Sequence, residues 1–565
     1  MTEIHEGPPL ADFTDDQLPL QCVYRRERER PDAPYLTQPI GGGAVDVYTF
    51  GRTVGEARRL AAYLRSLELP AGSRIALVTK NCAHHFIWDL AIWMAGHVSV
   101  SIYPTVAAET LQYVLEHSEA KLLFVGKLDV WDEMASGVPE GLPLVRCALS
   151  PELDAQSYEA LVEAHAPIAD DPVRDADDVV LLCYTSGSTG KPKGAMITAR
   201  ASIAGGSTMG ARLGMGPEDR LISYLPLAHA FERGLLEIPS FQHGFQVFFA
   251  ESLDTFIEDV QRAKPTVFQS VPRLWIKFKL AIEAKMPPAR LARLLKMPLV
   301  GGLVRGKILR GLGLEKVRVA GSGTAPIPGE VLEFYDRLGL TMVEGYAMTE
   351  NWCAATLGTP GRHRVGTVGE PVAGTRFRIS ASGEIEMQSP GMMNGYFKQP
   401  EVTAATFTED GWLKTGDRGA FDDAGSLRIT GRVKELFKTS KGKYVAPAPI
   451  ENLLNTSPGV ELSCVMGRGL TQPIAVVQLD EATREAFASD PGRVEAQMED
   501  VREAVNAQLE KHERLDRVIV SAGEWTIASG LLTPTMKIRR AAIEERHADL
   551  LNAAALAPEG VQARA

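Results

Sequence analysis

The chain has 565 residues, 45% of them hydrophobic and 23% charged, with a formal net charge of −11. That length exceeds what one hydrophobic core fills, so two or more domains are expected, and the acidic balance argues against nucleic acid as a bulk electrostatic partner while leaving room for a bound nucleotide. Six scattered cysteines with no CxxC pair argue against a disulfide scaffold or a Cys-based zinc site and fit a reduced compartment.

No basic region followed by an apolar run opens the chain, so no signal peptide is expected. The first three quarters alternate. Apolar runs at Arg74–Val78, Lys121–Val125 and Val179–Cys183 read as buried strands, with amphipathic helices over Thr53–Leu67 and Ala107–His117. Such alternation predicts βαβ units and parallel sheets covered on both faces. The apolar stretch Trp88–Tyr103 carries Asp89, Gly96 and His97 and is too short and too polar to span a bilayer. From Gly383 to Ile429 the pattern turns to short strands and turns, predicting an antiparallel β subdomain over about 365–430. After Gly431-Arg432 comes a basic stretch with Lys434, Lys438, Lys441 and Lys443. A compact α+β segment with a helix near Arg493–Lys511 follows. We place a domain boundary at about Arg432, giving an N-terminal domain over 1–432 and a C-terminal domain over 433–565. No internal repeat is visible.

The strongest motif is Tyr184-Thr185-Ser186-Gly187-Ser188-Thr189-Gly190-Lys191-Pro192-Lys193-Gly194, which follows one apolar strand and precedes another. Glycines let backbone approach a polyphosphate, hydroxyls donate hydrogen bonds and the lysines neutralise charge. It differs from the common P-loop, which needs four residues between its glycines and a hydroxyl residue after its Lys. Downstream, Glu344-Gly345-Tyr346-Ala347-Met348-Thr349-Glu350 places a Thr beside a carboxylate. That pair suits Mg2+-ATP, with the hydroxyl on phosphate and the hard oxygen of Glu350 on the metal; the ring of Tyr346 can stack on adenine. In Gly321-Ser322-Gly323-Thr324-Ala325, small residues allow flat contact with a ring or an acyl group, and a tight turn would explain them equally. Asp417, just after a glycine, offers paired acceptors suited to two ribose hydroxyls. Leu225–Arg233, containing His229, and Leu532–Arg540, containing Lys537, complete the ordered series.

These strings resemble the signatures of the adenylate-forming superfamily, which includes acyl-CoA synthetases, adenylation domains of peptide synthetases and firefly-type luciferases. The likeness runs from about Leu60 to Arg540. His-Ala-Phe-Glu-Arg at 229–233 and Pro-Thr-Met-Lys at 534–537 are in the style of long-chain fatty acyl-CoA synthetases. Many relatives carry Ser-Gly before the last Lys, where this chain has Thr535-Met536. The resemblance implies a large N-terminal domain of parallel α/β sheets with a β subdomain and a small mobile C-terminal domain. It implies ATP, Mg2+ and coenzyme A as ligands, with Thr185–Gly190 and Lys193 on the phosphates and Glu350 and Thr185 near the metal. Gly323, Thr324 and Ala325 would border adenine and the carboxylate, Glu344, Gly345 and Tyr346 would line the nucleotide, Thr349 would contact phosphate, and Asp417 and Arg432 the ribose. His229 would help position the carboxylate, Lys264–Trp275 would wall the acyl chain, and Lys537 would bridge carboxylate and α-phosphate. Lys434 would be the hinge, where acetate-type members often carry Asp, and the loop holding Lys441 and Gly442 would face coenzyme A.

The expected activity is therefore ATP-dependent ligation of a medium- or long-chain fatty acid to coenzyme A, releasing AMP and pyrophosphate. The alternatives weighed are ligation of an aryl or other unusual acid, loading of a carrier protein, and a nucleotide-binding regulator without catalysis. The chain is expected to be cytoplasmic, a monomer or homodimer. It has no visible anchor, although a fatty-acid enzyme can dock peripherally on a membrane through a surface patch.

Overall fold

The computed structural model describes residues 3–185, 191–362, 364–521, 523–533, 535–549 and 562–563. The continuous apolar runs form the middle of a seven-stranded sheet: Lys193–Thr198, Val179–Thr185, Val98–Ile102, Arg74–Val78, Leu122–Val125, Leu144–Arg146 and Gln156–Ser157, in that spatial order. All neighbours run parallel except the hairpin of the first two. Strands buried on both faces have no polar side to present, which is why these segments read as unbroken apolar runs. The helix expected over 53–67 forms as Phe50–Ser66; it starts earlier because the Thr49 hydroxyl accepts the Arg52 N–H at 3.1 Å and caps it. The stretch Trp88–Tyr103 divides between helix Ala83–Met94, buried on every side, and strand Val98–Ile102.

Two further sheets complete the large core. Arg220–Ser223, Gln246–Phe249 and Pro34–Pro39 run parallel, with Val45–Thr49 antiparallel at the edge. Val267–Ser270, Val319–Ser322 and Met342–Tyr346 run parallel and continue into two short antiparallel strands. Phe268 and Trp275, expected to wall the acyl chain, are packed in the hydrophobic core beneath this third sheet, where the Trp275 indole N–H donates to the Gly321 carbonyl.

An antiparallel sheet follows, ordered Ile4–Glu6, Arg376–Ile379, Glu384–Gln388, Leu413–Phe421 and Leu427–Arg432. Its edge strand comes from the N-terminus, which the sequence pattern did not suggest. Beyond it, Val460–Met466, Ile474–Leu479, Val518–Val520 and Gln562–Ala563 form a last sheet. Helices Pro447–Leu454 and Pro491–Asn506 share with it a core of their own around Val465, Val477 and Met498. The latter helix stops short of the expected Lys511: the Asn506 side chain bonds both the N–H and the carbonyl of Leu515, turning the chain back. Among the described residues no helix is long and apolar enough to cross a membrane.

Candidate active site

Thr185, Ser322 and Tyr346 end parallel strands at their carboxyl ends, where open α/β sheets bind ligands. Thr185 and Lys193 are cross-strand partners, and the Thr185 hydroxyl donates to the Lys193 carbonyl at 3.4 Å. The glycine-rich loop is therefore held at both ends by one hairpin; Ser186, Gly187, Ser188, Thr189 and Gly190 themselves lie outside the described residues. The Lys193 ammonium stands 4.7 Å from the ring centre of Tyr396. The Tyr396 hydroxyl in turn donates to Glu350 Oε1 at 2.6 Å.

Tyr396 was missed by sequence reasoning. It sits in a segment that pairs with the strand after the loop, with Met196 N–H on the Gly395 carbonyl and Phe397 N–H on that of Gly194. The only signal was a glycine turn ending in an aromatic. Thr349 and Glu350 open a short 3-10 turn, with the Glu350 carboxylate buried but one oxygen left free of Tyr396. A hard, nearly dry carboxylate oxygen linked through Tyr396 to the Lys193 strand fits Mg2+, and the residues that could hold the ion are Glu350 and Thr185.

A second group lies on the antiparallel sheet. Asp417 and Arg432 are cross-strand partners, with Arg432 Nε 3.0 Å from Asp417 Oδ1. The Tyr346 hydroxyl donates to the other oxygen at 2.7 Å. Tyr346 is thus anchored by its hydroxyl as well as offering a ring. Gly323 lies where a Cβ would come within 3.0 Å of the Phe231 ring and 3.4 Å of the Gly345 carbonyl, so a side chain there would crowd the surface between them. Thr324 follows with a left-handed φ of 71°; Ala325 is exposed and Gly345 half-buried. Glu344 is buried, and that burial raises its carboxyl to about 8. It stands neutral at pH 7, an environment suited to an uncharged ring.

His229 caps a short helical turn by accepting the Phe231 N–H on Nδ1 at 3.1 Å. Burial, and then the charge of Lys537, push it down to about 3. It is a neutral hydrogen-bonding group at any physiological pH. Behind it lie two charged residues to which sequence reasoning assigned nothing. Glu232 accepts the Tyr224 N–H at 3.0 Å and the Asn81 amide at 3.3 Å, and burial raises its carboxyl to about 8. Arg233 is wholly buried, bonded to Asp89, to Glu237 at 3.0 Å and to Ser101 at 2.8 Å. Ionisable residues read as surface in a sequence; here Arg233 rivets the His229 loop to helix Ala83–Met94 through Asp89, and Glu232 ties it to Asn81 and Tyr224.

Lys537 comes from the far end of the chain. Its loop is closed by Thr533, whose N–H donates to the Lys537 carbonyl at 2.8 Å and whose hydroxyl accepts the Lys537 N–H at 3.1 Å. Met536 takes a φ of 60° to make the turn. Just beyond, Arg540 forks onto Glu451 at 2.6 and 2.9 Å and fixes the loop to the C-terminal core. The Lys537 side chain keeps access to water, yet protein atoms crowd it. That crowding, followed by the Arg432 guanidinium, lowers its ammonium below the usual lysine range, with Asp417 and Glu435 opposing. Lys537 therefore stands over the cleft between His229 and the Asp417–Arg432 pair. A second bridge between the two parts of the chain is the ion pair of Arg273 with Glu461.

Lys434 is exposed in the turn after Arg432. Lys441 and Gly442 form the tip of the hairpin joining Phe437–Lys438 to Tyr444–Val445. No hydrogen bond or ion pair among the described residues links them to the Lys537 assembly.

The hairpin flanking the glycine-rich loop, the carboxylate turn, the paired Asp and Arg and a lysine from a second core form an arrangement suited to a nucleotide-dependent enzyme. The chain belongs to the AMP-binding enzyme family: that family's profile matches residues 23–397, and the profile of the AMP-binding enzyme C-terminal domain matches 435–556. It is 30% identical to "Long-chain-fatty-acid--CoA ligase FadD15" of Mycobacterium tuberculosis, over 98% of this chain and 99% of that protein. To human "Long-chain-fatty-acid--CoA ligase 1" it is 30% identical over 82% of this chain and 76% of that one. Its fold matches the crystal structure of the adenylation domain of a carboxylate reductase from Mycobacterium chelonae, with a TM-score of 0.79 at 23% identity, covering 95% of this chain and 91% of that one.

Proposed function

We propose that the protein ligates a medium- or long-chain fatty acid to coenzyme A through an acyl-adenylate. The observation that carries this reading is the meeting of Lys537 with His229 and the Tyr346–Asp417–Arg432 group, next to the phosphate hairpin. The likeness to long-chain fatty acid ligases over nearly the full chain supports the choice of acid.

In the first half-reaction the substrate carboxylate attacks the α-phosphorus of ATP. A new O–P bond forms, the bond to pyrophosphate breaks, and negative charge builds between carboxylate and phosphate. Lys537 stabilises that charge most, since its ammonium stands over the cleft where the charge builds. Thr185, Ser186, Lys193 and Thr349 hold the phosphates. Asp417 and Arg432 orient the ribose, Gly323, Thr324, Ala325 and the neutral Glu344 face the adenine, and neutral His229 offers a hydrogen bond to the carboxylate without competing for its charge. Bound Mg2+ would neutralise the polyphosphate, held by Glu350 and Thr185.

In the second half-reaction the chain from residue 433 turns about Lys434, withdrawing Lys537 and bringing the Lys441–Gly442 hairpin to the coenzyme A side. The thiol then attacks the acyl carbon and displaces AMP. Pyrophosphate release over a panel of acids, with and without coenzyme A, tests the reading. Release with octanoate to oleate, rising with coenzyme A and matched by AMP and thioester, is expected; a preference for benzoate-type acids, or indifference to coenzyme A, contradicts it.

A further inference from the structure

The protein is acidic overall, yet between Lys285 and Arg310 the chain carries seven Lys or Arg and no Asp or Glu. All seven are exposed, and none forms an ion pair among the described residues. The segment folds as two helices, Pro288–Leu295 and Val300–Leu312, which pack on each other, the second also against helix Phe256–Ala263.

Helix Val300–Leu312 is apolar on both sides. Val304, Ile308, Leu309 and Leu312 pack inward against the core around Trp275 and Tyr335. On the outer side Leu299 is 89% exposed and Leu303 72%, with Met297 at 44%. Leu299 and Leu303 are one helical turn apart, so they share a face. Large aliphatic side chains held this far into water, ringed by unpaired cations, are costly unless something covers them.

We propose that this helix pair docks the protein on anionic lipid bilayers, with Leu299 and Leu303 entering the headgroup–acyl boundary and the surrounding Lys and Arg, among them Lys296 and Lys307, meeting lipid phosphates. Charge complementarity selects the occupant: seven unopposed cations around an apolar tip match an anionic interface, where each basic residue and each buried methylene adds affinity. The purpose of docking rests on the fatty-acid reading, since such acids partition into bilayers; the docking itself does not.

The test is sedimentation of the full-length protein with vesicles of phosphatidylcholine and phosphatidylglycerol, two to one, against phosphatidylcholine alone. Binding to the anionic vesicles at low salt, lost at high salt, is expected. Lys296→Ala with Lys307→Ala lowers the partition coefficient about thirtyfold. Leu299→Asp with Leu303→Asp abolishes binding while leaving the rate with water-soluble octanoate unchanged, which shows the variant is folded. Failure to bind anionic vesicles, or equal binding by both variants, overturns the proposal even if the ligase activity is established. A concentration-dependent dimer that the Leu299→Asp, Leu303→Asp variant dissolves, without vesicle binding, overturns it in favour of self-association.

Discussion

The phenol of Tyr396 donates a 2.6 Å hydrogen bond to the carboxylate of Glu350 and presents its ring face to the ammonium of Lys193. One residue thereby ties the carboxylate turn to the base of the phosphate hairpin.

Tyr396 acts through Glu350, as a positioning residue. Tyr396→Phe keeps the ring and removes only the donor. A lost hydrogen bond to a buried carboxylate is worth about 1.5–3 kcal/mol, so kcat/KM for ATP falls about ten- to hundredfold. The Mg2+ concentration for half-maximal rate rises, while KM for the fatty acid holds. A Mg2+ titration at fixed ATP distinguishes this from general loss of structure, which would lower the rate without moving the Mg2+ midpoint.

Three buried carboxyls shape the pH dependence of stability. Burial raises Glu232 and Glu344 to about 8 and Asp89 to about 7. Between pH 6.5 and 8 the native state holds protons that the unfolded chain has released, so stability falls as pH rises, by up to ~1.4 kcal/mol per pH unit for each carboxyl still below its native pKa, Asp89 ceasing to contribute above about pH 7. Below pH 6.5 the trend is offset, because buried His84, His85 and His229 stay neutral while their unfolded counterparts take up protons. Glu232→Gln keeps the shape and the acceptor for the Tyr224 N–H. Thermal unfolding across pH 6.5–8 should show a shallower decline in this variant than in the parent; parallel declines would contradict the assignment.

Arg273 and Glu461 form the ion pair that joins the α/β core to the C-terminal core while Lys537 is in the cleft. Both side chains are partly exposed, at 36% and 22%, and such pairs contribute up to about 1 kcal/mol. Arg273→Glu should therefore slow pyrophosphate release two- to fivefold and leave thioester formation from a preformed adenylate unchanged. The exchange Arg273→Glu with Glu461→Arg restores the rate. Equal slowing of both half-reactions would show that the pair has no bearing on the adenylating arrangement.

Legibility in the sequence followed the locality of the signal. Strand Val179–Thr185 was visible because an apolar run meets a Gly, Ser and Thr loop within a few residues. The resemblance put Asp417 and Arg432 on one ribose, but their direct ion pair was not visible, because it depends on the register of a hairpin whose strands are joined through a turn and a bulge. Arg233 and Glu232 stood inside a recognised string, but burial of a charge is decided by partners as distant as Asp89 and Asn81. Tyr396 was hidden for the same reason: its partners come from strand Lys193–Thr198 and the Thr349–Asn351 turn. Trp275 erred the other way, since an aromatic after a Pro suits a pocket wall and a core equally, and the Gly321 carbonyl decided for the core.

The central claim is that Lys537, carried in from the C-terminal part of the chain, stabilises charge in the adenylating step. Lys537→Ala, assayed separately in the two half-reactions, tests it most directly. Removing one preorganised donor to a developing charge costs about 10²–10³-fold, so acyl-adenylate formation should fall by that factor while synthetic acyl-adenylate is still converted to thioester at close to the parent rate. Adenylate formation at the parent rate in this variant would contradict the account.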